Sequence, residues 1–358
     1  MNENIREFIY SQIGQKYFAT RAEDGIPAMA QNMRRVITLY VLRETIAPLI
    51  DRSDDPESSV SFVMTLESGV EAEIIEIPAR KFKSKEKLMG LKLCRSFKAV
   101  DTRYEYNSVR SIGYLANPNS VIFGDSVVEG GDSGQAMLPS RVLYSSSYSI
   151  RSKPEITKQL THNSLSEQGT MWDREKGENR TSLFSTEYVI PGAFFPSFIT
   201  LINPTPESLI HILLCLKERS YGAQTSITGP NVMNHVVGIY CGEEELPITS
   251  YTVSRDSRSV FKWDQDPVKF KNSLNNFVLE AMGKELTGKL VYGRTLEDFT
   301  KKIDNFDVSD LQLIYDQLKS DSQDLVKYAK ILPKEKKTRG VGSKQKDLES
   351  NEEENEGI

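Results

Sequence analysis

Residues 36–50, VITLYVLRETIAPLI, are β-branched and aromatic with few breaks, which predicts a buried central strand. The stretch 59–78, SVSFVMTLESGVEAEIIEIP, reads as two strands around Ser68-Gly69, the pattern of a hairpin. From 81 to 98 the apolar positions Leu88, Leu91, Cys94 and Phe97 fall at helical spacing and leave one cationic face. A glycine-rich segment, 124–141, leads into RVLYSSSYSI, an alternating strand candidate. Residues 155–187 are polar, rich in turn formers and flanked by strand-like sequence, which predicts a protruding hairpin or loop.

YVIPGAFFPSFITLIN returns to strand. TPESLIHILLCLKERSYG predicts a helix opened by Thr205 and Ser208 and stopped at Gly222. A second glycine-bearing loop precedes the strand HVVGIYC, and residues 267–331 read as helical. From Pro333 the tail is first basic, KEKKTRGVGSKQK, then acidic, DLESNEEENEGI. Neither half has a usable apolar set, so 333–358 are expected to be a disordered charged tail. Interleaved strands and helices with no internal repeat predict one α+β domain with insertions over residues 1–332.

Composition narrows the class. With 38% apolar and 27% charged residues the 358-residue chain has an ordinary soluble balance, and no run reaches the roughly 18 to 20 apolar residues of a membrane span. The start, MNENIREFIY, has no basic n-region and apolar core, so the expected location is cytoplasmic, away from membranes. Three widely spaced cysteines and three unpaired histidines exclude a disulfide framework and a zinc module; no metal and no cofactor is expected.

The net charge of −5 hides segregation: residues 79–98 carry eight Lys or Arg against one Glu, while 52–59 and the extreme C-terminus hold much of the acid. Local patches of this kind govern phosphate affinity, whereas the total mainly tunes solubility. Lys81, Lys83, Lys85, Lys87, Lys92 and Arg95 are therefore candidates for phosphate contact, against the plainer reading of a solvated helix face.

The stretch GDSVVEGGDSGQAMLPSR (124–141) admits three readings. Its glycines and aspartates suit turns. Asp125 and Asp132 are candidate metal ligands or bases, although the spacing matches neither a calcium loop nor a P-loop. Alternatively Gly130, Gly131 and Gly134 expose backbone N–H groups beside Gln135, Ser140 and Arg141, a surface suited to a phosphodiester backbone. The loop 221–235, YGAQTSITGPNVMNH, has the same character, and His235 reads as a structural histidine. Met171, Trp172 and Phe184 are large apolar groups within the polar projection, suited to a neighbouring subunit or to wedging between bases.

Three blocks in order, FGDSVVEGGDSGQAMLPSRVLYSSSYSI, TEYVIPGAFFPSFITLINPTPESLIHILLCL and YGAQTSITGPNVMNHVVGIY, resemble the backbone subunit of type I-D CRISPR effector complexes. The resemblance spans roughly residues 30–260. It implies an RRM-like (ferredoxin-like) core with insertions, shaped as a hand, with 155–187 as a β-hairpin thumb. It further implies a non-catalytic subunit that stacks head to tail along a crRNA guide. Its partners would be the guide, target DNA and possibly target RNA, and the large, repeat-end-capping and small subunits of the complex. The implied RNA-binding residues are Arg34, Lys83, Lys85, Gly130, Gly131, Gln135, Ser140, Arg141, Met171, Tyr221, Gln224, Thr225, Ser226 and Asn231. Some relatives carry a cysteine-rich zinc element near LANPNSVIFG; this chain has no cysteine there, so no zinc is carried over. The enzyme-class alternative is a metal-dependent endoribonuclease that cuts guide-paired RNA through Asp125 or Asp132.

Overall fold

The computed structural model describes residues 3–329 apart from 22–24, 31–33, 52–60, 67, 128–135, 164–169, 171, 174–176, 180–182, 223–228, 262, 264–265 and 285–286. The chain begins with helix α1 (Glu3–Gln12) and enters strand β1 (Val36–Thr45). The hairpin β2 (Ser61–Thr65) and β3 (Glu71–Ile77) leads into the long helix α2 (Ala79–Ser96). A short helix α3 (Pro118–Phe123) precedes four brief strands, β4 (Asp125–Ser126), β5 (Met137–Leu138), β6 (Val142–Tyr144) and β7 (Ser147–Tyr148). One helical turn, α4 (Lys153–Ile156), opens the projection, which holds β8 (Thr157–Asn163), β9 (Trp172–Asp173), β10 (Glu178–Asn179) and β11 (Leu183–Val189). Then follow β12 (Phe194–Ile202), α5 (Pro206–Cys215), β13 (Val232–Gly242), α6 (Ser250–Val260) and α7 (Pro267–Gly283). The described chain closes with β14 (Lys289–Tyr292), α8 (Gly293–Asp304) and α9 (Val308–Tyr328).

The central sheet has the order β14-β13-β1-β12-β6, and every neighbouring pair is antiparallel. β1 lies in the middle, and its largely apolar run is explained by burial on both faces. Ile37, Leu39 and Val41 enter the larger core with Leu91 and Cys94 of α2, most of α5, and residues of α1, α8 and α9. Tyr40 and Leu42 point the other way, against Phe194, Phe198 and the Phe270, Leu274, Val278 and Met282 stripe of α7. A period of two, covered on both sides, leaves no position of the strand free to be polar without a partner. A third cluster joins Phe82 of α2 to Ile75, Ile77, Ile156, Val189, Phe195 and Tyr221, and so ties the outlying strands to the sheet.

Several expectations are met and others shift. The turn at Ser68-Gly69 forms with Gly69 in the left-handed region, and Thr205 and Ser208 make the reciprocal capping box of α5. RVLYSSSYSI does not form one strand: β6 joins the central sheet and β7 joins β2-β3. β8 and β11 pair along their full length, Thr157 opposite Val189 and Asn163 opposite Leu183, in a two-stranded sheet of their own. Within the C-terminal helices β14 extends the sheet, and α6 forms from a sequence too polar to signal its contact with β12.

Gly222 is not the helix stop. α5 ends at Cys215, and Gly222 instead lets the chain pass close to β1's exit, with φ +77°. A Cβ built there meets the carbonyl oxygen of Ile50 at 2.2 Å, far inside van der Waals contact. Gly222→Ala is expected to destabilise the fold by about 2 kcal/mol or more. Gly192→Ala, also left-handed but open, is expected to cost only about 1 kcal/mol. Urea unfolding of the two variants checks the difference.

Candidate nucleic-acid interface

The site is organised from a buried ion pair outward. Arg43 interrupts the apolar run of β1, and its side chain is wholly enclosed. One guanidinium N–H donates to Glu86 of α2 at 2.6 Å, and the same nitrogen donates to the Asn234 side-chain oxygen at 2.9 Å. The Tyr144 and Tyr221 hydroxyls donate to the two Glu86 oxygens at 2.6 and 2.9 Å. The Phe82 ring lies 3.9 Å beneath the guanidinium carbon. Burial works against the Arg43 charge, but Glu86, Tyr221 and Tyr144 together hold the guanidinium above its ordinary pKa. The pair pins α2 to the sheet.

That anchoring turns part of the cationic helix face inward. Lys87 is buried: its ammonium donates to the Gly124 carbonyl at 2.8 Å, sits 3.7 Å from Asp125 and lies 5.2 Å from the Tyr106 ring centre. One turn earlier, Lys83 donates to the Ser140 hydroxyl at 2.8 Å, and that hydroxyl donates to the Val142 carbonyl at 2.7 Å. Burial lowers both lysine pKa values; for Lys83 the neighbouring Lys87 charge adds to the effect, whereas for Lys87 Asp125 opposes it. Lys81 binds Asp51 at 2.7 Å, and the exposed Lys92 stands 3.8 Å from Glu218. The expected solvated stripe is thus half surface and half clamp, and Leu88 is only partly buried, outside the inward face of Phe82, Glu86, Gly90, Leu91 and Cys94.

The glycine-rich stretch is held at both ends by α2, through Lys87 at Gly124 and Lys83 at Ser140. The Asp125 side chain is largely enclosed. It accepts from the Tyr104 hydroxyl, from Ser120 at 2.8 Å and, on its other oxygen, from the Ser126 amide at 3.0 Å. These three bonds and the nearby Lys87 ammonium hold Asp125 within the fold's own hydrogen-bond network. Among the described residues no group of three or more His, Cys, Asp or Glu is placed to hold a metal ion. Gly130, Gly131, Asp132 and Gln135 lie outside the described residues, as do Met171, Gln224, Thr225 and Ser226, most of the projection's tip and the tail from 330.

Arg141 is not the free cation expected. It is half-buried, its guanidinium turned toward the carbonyls of Met29 and Val121 at 3.3 and 3.4 Å, and burial lowers its pKa. Tyr221 and Asn231 are corrections of the same kind. Tyr221 is 2% exposed, with its hydroxyl on Glu86, while the Asn231 side chain bridges the Tyr221 amide and carbonyl at 2.9 Å each. Both side chains are interior groups at the base of the loop. His235 behaves as expected of a structural histidine, 2.8 Å from Glu44, which Lys271 also reaches. Arg34 is exposed and only loosely paired, 3.8 Å from Glu244. Trp172 is 48% exposed on β9, and Met137 is 73% exposed on β5.

Arg43, Glu86, Asn234 and Tyr144 were not singled out in the sequence. The available signal was a lone arginine in an apolar strand and a lone glutamate in a lysine-rich helix. Glu86→Gln keeps the shape but leaves Arg43 charged and uncompensated, an expected loss of about 3–5 kcal/mol. The double variant Arg43→Met/Glu86→Leu is expected to recover most of it. Chemical denaturation of both variants checks the prediction.

Among the described residues no helix is long and apolar enough to cross a membrane. No curated protein matches the chain in sequence. Its structure is similar to the crystal structure of Thermofilum pendens Csc2, with a TM-score of 0.59 and 18% identity over 90% of this chain and 97% of that one. A chain of a CRISPR RNA-guided surveillance complex gives a TM-score of 0.48 and 9% identity, covering 80% of this chain and 98% of that one. The family described as Csc2 Crispr matches residues 18–330, nearly the whole described length, and the chain belongs to that family.

Proposed function

We propose that this chain is a non-catalytic, crRNA-binding backbone subunit of a type I-D CRISPR surveillance complex. Copies assemble head to tail along the guide and present it to target nucleic acid. Beyond family membership, the observation that carries this reading is the junction where Lys83 and Lys87 of α2 meet the two ends of the 124–141 stretch. Cations and neutral donors converge there, and the one carboxylate, Asp125, is turned into internal bonds. Such a surface attracts a phosphodiester backbone without reading bases, which suits a guide whose bases must stay available for pairing.

The strand order β13-β1-β12-β6, with α2 following β1 and α5 following β12, supports a ferredoxin-like core to which β14 is appended. In the same reading the β8–β11 hairpin is the thumb, with Trp172 as an exposed apolar group for the guide or the next copy. Sequence-independent RNA contact through phosphates releases counterions, so its strength falls steeply with salt.

Two outcomes are expected. Lys83→Ala/Lys85→Ala weakens binding of single-stranded RNA equally across sequences and lowers the salt slope by about 1 to 1.5, measured by filter binding over a salt series. An unchanged slope would remove these lysines from the interface. Deleting residues 165–182 leaves β8 and β11 paired, so the melting temperature holds while assembly on RNA, followed by sedimentation, is lost. A deletion that assembles normally would show that the projection is not a thumb.

A further inference from the structure

We propose that the acidic end of this chain, residues 347–358, docks on the cationic start of α2 when no RNA is bound, and so competes for the surface assigned above to the phosphodiester backbone. Its consequence for RNA rests on that reading; the contact itself does not.

Three observations carry the inference. First, the start of α2 has charge without compensation. Lys81 is bound to Asp51, on which the Arg80 charge also acts, but among the described residues Lys83 and Lys85 form no ion pair. Lys83 meets only a neutral hydroxyl and the like charge of Lys87. Second, residues 347–358 hold six carboxylates in twelve positions and no cation, a uniformly anionic segment.

Third, the chain leaves the described fold in the right neighbourhood. The last turns of α9 reach Arg21 through Asp324, and α9 packs on the helical turn Ala28–Ala30. The Met29 carbonyl in that turn accepts from Arg141, whose neighbour Ser140 accepts from Lys83. A short series of direct contacts therefore links the end of α9 to the start of α2. Fully extended, a stretch as long as 330–346 reaches at most about 55–60 Å.

The basic half of the tail, with six Lys or Arg in 334–346, is the competing partner for the acidic half. Ion pairs between two solvated segments contribute little, because both partners keep their water and lose side-chain freedom on pairing. The α2 cations are already ordered and, at Lys83, partly dehydrated, so a carboxylate gains more there.

Two arms test the proposal. In the first, full-length protein and a variant lacking 347–358 are titrated with single-stranded oligouridylate. The deletion is expected to raise affinity about tenfold at low salt, and the gain should vanish at about 0.5 M salt. The gain must persist when every Lys and Arg of 334–346 is replaced by Ser. No gain, or a gain that disappears with those replacements, overturns docking on α2. In the second arm, a peptide of residues 347–358 is added to the tail-deleted protein without RNA. Binding is expected, and it should be lost in Arg80→Glu/Lys85→Glu, which reverses two charges at the start of α2. Absence of binding, or binding that survives the charge reversal, overturns the contact. Tail-dependent dimers in sedimentation would place the acidic end on a second copy and also overturn it. If neither protein binds oligouridylate, the function proposed above fails, and the peptide arm still decides the contact.

Discussion

A single buried ion pair, Arg43 with Glu86, fixes how the longest cationic element of this protein lies on its sheet. Two full charges inside a core are costly unless their remaining hydrogen-bonding capacity is met with good geometry. Here Tyr144 and Tyr221 complete Glu86 and Asn234 accepts from one Arg43 nitrogen, while Arg43 Nε and Nη2 have no hydrogen-bond partner and Phe82 supplies a ring face; groups from β6, β13, α2 and the loop before β13 converge on one point. An apolar replacement would pack as well, but it would not select one rotation of α2. The polar pair is satisfied only when Glu86 points at β1, and that rotation decides which lysines face the surface. Specificity of placement, more than stability, is what such a pair supplies.

The same rotation explains the mixed fate of the lysines. On an 18-residue helix, positions 83 and 87 lie one turn apart on a common flank beside position 86. With Glu86 inward, Lys83 and Lys87 fall at the margin of the core and bind the stretch that follows α3. Lys85, on another side of the helix, makes no such bond. Lys87 satisfies Asp125 and the Gly124 carbonyl, and Asp125 in turn satisfies Tyr104 and Ser120. The Asp125 charge is thereby balanced within the fold beside the start of the 124–141 stretch.

Much of the framework was legible because it follows from periodicity. β1, the β2–β3 hairpin, α2, β12, α5 and β13 each carry a strong apolar pattern, and the α5 capping box is written in Thr205 and Ser208. What was not legible depended on partners distant in sequence. Tyr221, Asn231 and Arg141 have the composition of a binding loop, yet their side chains are drawn inward by groups 10 to 135 residues away. Nothing local distinguishes a tyrosine that stacks on a base from one that completes a buried glutamate. α6 was missed for a related reason: Ser250, Ser254 and Ser257 are buried by hydrogen bonds to carbonyls, a pattern that hydropathy reads as a surface. β14 is four residues long and gains its strand character only by pairing with β13.

The interface therefore depends on the core in a specific way. Residues 124 and 140 are sixteen apart in sequence but are held by two lysines of one helix. Fixing both ends of a loop on a single rigid element removes most of the freedom with which its entrance and exit could move relative to each other. That helix is in turn oriented by Arg43 at the centre of the sheet. A displacement at Glu86 would be transmitted through α2 to both ends of the glycine-rich stretch, whereas a change on the surface of α2 would alter charge without moving either end. Lys83 therefore serves both position and charge at this surface, whereas Lys85, which holds neither end, contributes charge alone.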